Sequence, residues 1–206
     1  MSFKSVMKDV LLYTRSLVIV LSLSLLITIF IFQPYIVNGG SMEPTFQGAD
    51  EYDADRIGDR VFIFKAPFYL GSIPEYGDAV IINSHIEQER TLQEDFMDSP
   101  LIQLVTQTKA EKSKYWIKRV IGKPGDTISF LDGEVCRNGE PLSEPYIKEA
   151  MMFPFESVTV PEDHVFVMGD NRNNSYDSRQ IGTVPVDHVI GKVVLRFFPF
   201  NKMTMY

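Results

Sequence analysis

Hydrophobic and polar positions divide the chain into two regimes. Ser16 through Phe32 carries no charge and is dominated by Leu, Ile and Val, and the apolar run extends to Val37 if Gln33 and Pro34 are admitted near its end. At about 1.5 Å rise per residue such a helix covers roughly 25 to 33 Å, which matches the hydrocarbon core of a bilayer. Beyond residue 40 the apolar runs are short and closely spaced: Arg60–Phe64, Ala79–Ile82, Tyr115–Ile121, Thr127–Leu131, Val165–Met168 and Lys192–Phe198. They are rich in β-branched and aromatic residues and bounded by Gly, Pro, Asp and Asn, the pattern of strands. Asp132-Gly133 and Asn138-Gly139 flank Glu134–Arg137, and each dipeptide suits a tight hairpin turn with positive φ. Few windows after residue 40 hold a 3.6-residue apolar period for three turns. The pattern predicts one transmembrane helix followed by a mainly antiparallel β domain.

In boundaries, this places a short N-terminus at 1–15, an anchor at 16–35 and a single β domain at 36–206. The stretch 86–114 interrupts the strand pattern. It is polar and charged around one apolar island, Leu101–Val105, and reads as an inserted loop with a short helix or hairpin and no chemistry of its own.

Charge adds a direction. Lys4, Lys8 and Arg15 precede the apolar run and no basic residue follows it until Arg56, so the positive-inside tendency puts the N-terminus in the cytoplasm and the β domain outside. A cleavable signal peptide has a shorter apolar core, about 7 to 15 residues, and a small-residue cleavage site; this run is longer and ends in aromatics. The chain has 20 basic and 27 acidic side chains; setting aside Lys4, Lys8, Arg15 and Asp9 leaves 17 and 26, a net −9. That acidic balance excludes nucleic acid as a partner by charge. A single cysteine, Cys136, excludes an internal disulfide and a cysteine-based metal cluster, and reads as an inert strand residue.

Three stretches carry candidate chemistry. Asn38-Gly39-Gly40-Ser41-Met42-Glu43-Pro44-Thr45 sets a serine between permissive glycines and a turn proline, directly after the membrane run. A hydroxyl held there is a candidate nucleophile, although by itself the stretch also fits an ordinary turn. In Tyr115–Ile121, period-2 alternation puts Trp116, Lys118 and Val120 on one face and Tyr115, Ile117, Arg119 and Ile121 on the other, so either Lys118 or Arg119 must look into the apolar side. A desolvated lysine loses preference for its ammonium form, and needs to fall about 3 units from about 10.4 to act as a base near neutrality. A lysine snorkelling from a sheet edge fits the same spacing. The third stretch, Gly169 to Arg179, is a polar loop at the end of a strand, dense in short side chains that hydrogen-bond backbone.

Taken in order, these motifs resemble the bacterial type I signal peptidases, serine proteases with a Ser/Lys dyad. The match covers most of the chain: the anchor, Gly-Gly-Ser-Met-Glu-Pro-Thr, Tyr-Gly-Asp-Ala-Val, Ile-Lys-Arg-Val-Ile-Gly-Lys-Pro-Gly-Asp and Gly-Asp-Asn-Arg-Asn-Asn-Ser-Tyr-Asp-Ser-Arg. The resemblance implies that Ser41 is the nucleophile and Lys118 the general base. It further implies that Ser175 hydrogen-bonds the Lys118 amine, that Asp177 and Arg179 form an ion pair shaping the same wall, and that Asp170 pairs with Arg119. Gly39, Gly40 and Met42 belong to the nucleophile loop. The implied fold is a largely β catalytic domain lying against the membrane. The implied activity is removal of signal peptides carrying small residues one and three places before the cut, of the Ala-x-Ala type, with no cofactor and no metal. Implied partners are preprotein signal peptides, the phospholipid membrane and the secretion translocon. The chain departs from some relatives in having Gly39 where they carry a hydroxyl residue, and in Trp116 where a smaller aromatic is expected. Met42 and Phe46, apolar and next to the nucleophile, are expected to dip into the bilayer surface.

Other readings use other residues. A Ser-His-Asp hydrolase would draw on His85, His164 or His188, yet the last two sit in similar Pro-x-Asp-His turns and all three read as surface histidines. A self-cleaving Ser/Lys regulator would carry a DNA-binding module in place of an anchor. An anchored β domain that binds without catalysis fits the fold but leaves the three motifs unexplained.

Overall fold

In the computed structural model the described residues are 3–50, 53, 55–88, 91–97, 102, 106 and 114–206. A long helix, α1 (Phe3–Phe30), leads into strand β1 (Phe32–Ile36). There follow β2 (Arg60–Phe64), α2 (Ala66–Tyr69), β3 (Ala79–Asn83), α3 (Leu92–Met97), β4 (Tyr115–Gly122), β5 (Thr127–Leu131), β6 (Glu134–Arg137), β7 (Glu140–Pro141) and β8 (Val158–Thr159). The chain ends with β9 (His164–Met168), α4 (Ser178–Ile181), β10 (Val184–Pro185), β11 (Val189–Phe198) and β12 (Thr204–Met205). The main sheet runs β1-β2-β11-β3-β4-β9-β10, with β12 beside β11, and β7-β6-β5-β8 form a smaller sheet. All of these strand pairs are antiparallel, so the domain is mainly antiparallel β.

All six strand runs predicted from the sequence are strands, and the hairpins close as the dipeptides require. Leu131 faces Glu134 and Arg137 faces Glu140 across two-residue turns. Asp132 and Gly133 take φ of 51° and 90°, Asn138 and Gly139 of 55° and 84°, the left-handed pair that a right-twisted hairpin needs. Cys136 is buried in β6.

The helix differs from the expected 16–35 segment at both ends. It begins at Phe3, and its membrane-compatible stretch is Ser5–Phe30. Phe32–Tyr35 leave the helix to pair with β2. Pro34 marks the change: a proline donates no hydrogen bond and is tolerated on an edge strand, which β1 is. Only Ile31 separates helix from strand, and its carbonyl accepts from the Lys65 N–H at 2.8 Å.

Registered residues share a sheet face, so Pro34, Phe62, Leu195 and Met205 form one row, with Phe32 and Phe64 on the same face. This outer face is apolar and open, with Phe32, Ile36, Phe200, Met203 and Met205 among its exposed side chains, and it lies next to the end of α1. Met42 and Phe46 are fully buried in the core behind the opposite face, packed with Val61, Ile63 and Val193. The expectation that they reach a bilayer is therefore overturned. They are apolar because they seat the Ser41 loop on the core, and the surface that is apolar and open comes from strand alternation in β1, β2 and β12.

The 86–114 expectation of a short helix is met by α3, while the island Leu101–Val105 lies, apart from Ile102, outside the described residues. The root of this segment is tied down by His188, whose ring nitrogens meet the Gln88 carbonyl at 2.9 Å and the Asp187 carboxylate at 2.8 Å. His188 is buried, contrary to its reading as a surface histidine.

Candidate active site

Central strand β4 supplies both cations of the site. It lies between β3 and β9, and cores pack on both of its faces, so alternation sends Lys118 and Arg119 to opposite sides without releasing either to solvent. Lys118 is 4% exposed and Arg119 8%. The two charges are handled differently. Asp170 takes Arg119 in a fork, at 2.7 Å to Nε and 2.6 Å between Nη2 and Oδ2, and the Tyr146 ring lies 4.1 Å from the guanidinium carbon. Such planar, bidentate pairing suits a buried guanidinium.

Among the described residues Lys118 has no carboxylate in contact. Its Nζ lies 2.9 Å from the Ser41 Oγ, and the Trp116 ring centroid is 5.6 Å away. Burial, which penalises the ammonium form, brings its pKa from 10.5 down to about 8; Asp177 pulls it back upward and Arg179 pushes it further down.

The serine is positioned by the 169–179 loop. Its carbonyl accepts from the Asn171 N–H at 3.0 Å, and the Asn171 side-chain amide donates to the Gly40 carbonyl at 3.0 Å. The Thr45 hydroxyl donates to Asp170 at 2.5 Å, tying the far end of the Ser41 loop to the Arg119 pair. Gly169 must be a glycine for space: a Cβ there would lie 2.3 Å from the Ser175 Oγ and 2.5 Å from the Ser41 carbonyl oxygen. Gly39 holds a positive φ of 70°. Among the described residues no atom lies within 4 Å of where its side chain would start, so the space beside it is open.

Asp177 organises the wall behind the lysine. It receives Arg179 at 2.8 Å on each oxygen, the Gly169 N–H at 2.9 Å and the Ser175 hydroxyl at 2.7 Å, and it caps α4 in a capping box with Gln180. Burial alone would raise its pKa; Arg179, bonded to it, overrides that and holds the carboxyl below its usual range. Ser175 thus donates its hydrogen bond to Asp177, and among the described residues it makes no hydrogen bond to the Lys118 amine, the partner that the family pattern implied.

A cleft of about 490 Å3 opens beside Ser41 and Lys118, which line it together with Tyr35, Val37, Ala49, Tyr115, Trp116 and Ile117. Its walls come from β1, β4 and the loop between β1 and β2. The β1 contribution was hidden in the sequence, where Phe32–Val37 merge with the membrane run, and Gln33 and Pro34 are the only signals that separate them. The roles of Asn171 and Thr45 were also missed, since both lie inside quoted motifs but bond backbone or a distant carboxylate. Glu144 gave no local signal; it forms a buried fork with Arg172 at 2.7 and 2.6 Å that braces the 169–179 loop.

Residues 10–198 match the family model described as signal peptidase, peptidase S26. Signal peptidase I T of Bacillus subtilis (strain 168) is 36% identical over 201 residues, covering 92% of this chain and 86% of its own. Signal peptidase I of Bacillus licheniformis is 34% identical over 202 residues, covering 93% and 90%. The probable signal peptidase I-1 of a Synechocystis species is 34% identical over 186 residues, covering 90% and 81%. A solved signal peptidase I from Enterococcus faecalis V583 aligns with a TM-score of 0.42 at 27% identity, over 59% of this chain and 97% of that one. With the match running from within the helix to the last long strand, the chain belongs to the signal peptidase family, peptidase S26.

Proposed function

We propose that this chain is a serine endopeptidase that removes signal peptides from exported preproteins, with Ser41 as nucleophile and Lys118 as general base. The observation that carries this is the 2.9 Å separation of the Ser41 Oγ and the Lys118 Nζ, at a lysine that burial has brought down to about 8. In its neutral form the amine offers a lone pair to the hydroxyl proton. Ser41 Oγ attacks the scissile carbonyl carbon as its proton passes to Lys118. Collapse of the tetrahedral intermediate breaks the C–N bond, and Lys118 returns the proton to the departing amine, the new N-terminus of the mature protein. Water then attacks the ester, giving its proton to Lys118; collapse breaks the acyl C–Oγ bond, Lys118 returns that proton to the Ser41 Oγ, and the signal peptide leaves with a new carboxylate. The Ser41 N–H, which has no protein acceptor among the described residues, is the donor for the developing oxyanion. Gly39 adds no hydroxyl to it.

Small residues before the cut fit a cleft narrowed by Trp116 and Tyr115. The apolar helix Ser5–Phe30 serves as a single membrane anchor with the N-terminus cytoplasmic, by the positive-inside tendency. The apolar outer face, with Phe200, Met203 and Met205, then rests against the bilayer and the translocon delivers substrate to it. Ser41→Ala and Lys118→Ala should each abolish cleavage of a preprotein whose signal peptide ends in Ala-x-Ala, while His164→Ala should cleave normally. Normal cleavage by either dyad variant would overturn the proposal. Protease added to intact spheroplasts should digest the chain beyond residue 40.

A further inference from the structure

From Asp170 to Ser175 every residue has a polar side chain, and all but one of these are bonded within the protein. Asp170 holds Arg119, Asn171 holds the Gly40 carbonyl, Arg172 holds Glu144, and Ser175 is bonded to Asp177. Asn173 spends both ends of its amide on the neighbouring segment, donating to the Ala150 carbonyl at 3.0 Å and accepting from the Met152 N–H at 2.9 Å. Asn174 is the exception. Its side chain is exposed and has no hydrogen-bond partner among the described residues, yet its Nδ2 lies 3.4 Å from the point where a Cβ on Gly40 would sit, next to the nucleophile. Its backbone is fixed, the N–H donating to the Asn171 carbonyl at 2.9 Å, so the amide is carried on a braced loop.

The two flanks of Ser41 differ in chemistry. On one side lies the apolar cleft walled by β1 and β4; on the other lie Asn174 and the Glu43 carboxylate, which is paired with Arg56 and Lys148. A preprotein has the same asymmetry about its cut, with small apolar residues before it and an ordinary polar chain after it. From this, and resting on the reading of the chain as a signal-peptide-removing protease, we infer that the Asn174 carboxamide binds the peptide backbone of the mature segment, with Nδ2 donating to the carbonyl of the first residue after the cut. A carboxamide offers a donor and an acceptor without charge, so it grips backbone and leaves the mature sequence free to vary.

The test uses the full-length enzyme in detergent and two peptide substrates of Ala-x-Ala type. One has ordinary amides throughout; in the other an ester replaces the bond between the first and second residues after the cut, which weakens that carbonyl as an acceptor. Asn174→Ala should reduce kcat/KM about tenfold on the amide substrate, the worth of one backbone hydrogen bond, and change little on the ester. Asn174→Asp, which lacks the donor, should behave like Asn174→Ala. The melting temperature of both variants should match the wild type, since no protein hydrogen bond is lost. An equal loss on both substrates, or no loss on either, overturns the inference. Failure of the wild type to cut either peptide, or cleavage by Ser41→Ala, would instead overturn the proteolytic reading beneath it.

Discussion

Lys118 and Asp177 share one buried wall, and the carboxylate of Asp177 is turned toward Arg179, which grips both its oxygens at 2.8 Å. This turns a would-be ion pair for the lysine into a neutralised one, and leaves the amine near a hydroxyl in place of a charge. With the pKa lowered to about 8, the neutral fraction of Lys118 falls tenfold per unit below that point. A kcat/KM profile should therefore show an acid limb of unit slope with its midpoint near 8, and a profile flat from pH 5 to 9 would exclude a lysine base.

The same shift has a cost in stability. A base whose folded pKa drops from 10.5 to about 8 binds fewer protons folded than unfolded between those values, so stability rises with pH across that window. Below pH 8 the folded state carries the full penalty of a buried ammonium, on the order of 3 kcal/mol. Lys118→Met should be inactive yet melt at a higher temperature than wild type at pH 6, with the difference shrinking toward pH 10. Calorimetry across that range tests the sign.

Removing Arg179 leaves the Asp177 carboxylate buried and unpaired. Arg179→Ala should lose about 3 to 5 kcal/mol of stability, measured by denaturant unfolding. Since Arg179 also pushes the Lys118 pKa down, any residual activity should have its acid limb moved to higher pH.

Gly169→Ala puts a methyl group 2.3 Å from the Ser175 Oγ and 2.5 Å from the Ser41 carbonyl oxygen. The Ser41 carbonyl belongs to a tightly held loop, so the clash should move Ser41, the proposed nucleophile, and lower kcat on the order of 100-fold. The stability cost should be about 1 to 3 kcal/mol. Single-turnover kinetics with an unchanged KM would localise the loss to the chemical step.

The open apolar face gives a further test. Phe200 is 75% exposed, whereas Trp116, the only tryptophan, lines the cleft. A Phe200→Trp variant in vesicles should show added fluorescence that brominated phospholipids quench strongly. Trp116 should be quenched less. Met42→Ser and Phe46→Ser should destabilise by about 2 to 5 kcal/mol, as core residues do, and leave vesicle contact unchanged.

The six long strand runs were legible because each is a β-branched or aromatic run bounded by turn residues, and the β5–β6–β7 hairpins because Asp-Gly and Asn-Gly supply the positive φ; β1 was not, because it merges with the membrane run. Ser41 and Lys118 were singled out in two separate motifs, but the 77 positions between them are closed only by the order of strands in the sheet, which no local pattern encodes. Alternation left open which of Lys118 and Arg119 is buried, and both are, because β4 is covered on each face. Met42 and Phe46 misled because apolarity beside a membrane run looks alike for a core anchor and a lipid contact. The Ser175 hydroxyl donates to the Asp177 carboxylate, a strong charged acceptor, and spacing alone does not display which acceptor a hydroxyl finds.

Between the last turn of α1 and the first residue of β1 stands a single residue, Ile31, itself pinned through its carbonyl to Lys65. With α1 embedded in a bilayer, the main sheet has no leash on which to roam. On the proposed reading, the height of Ser41 above the lipid is set by this one-residue joint, and the position of the cut would be gauged from the membrane as well as chosen by the residues around it.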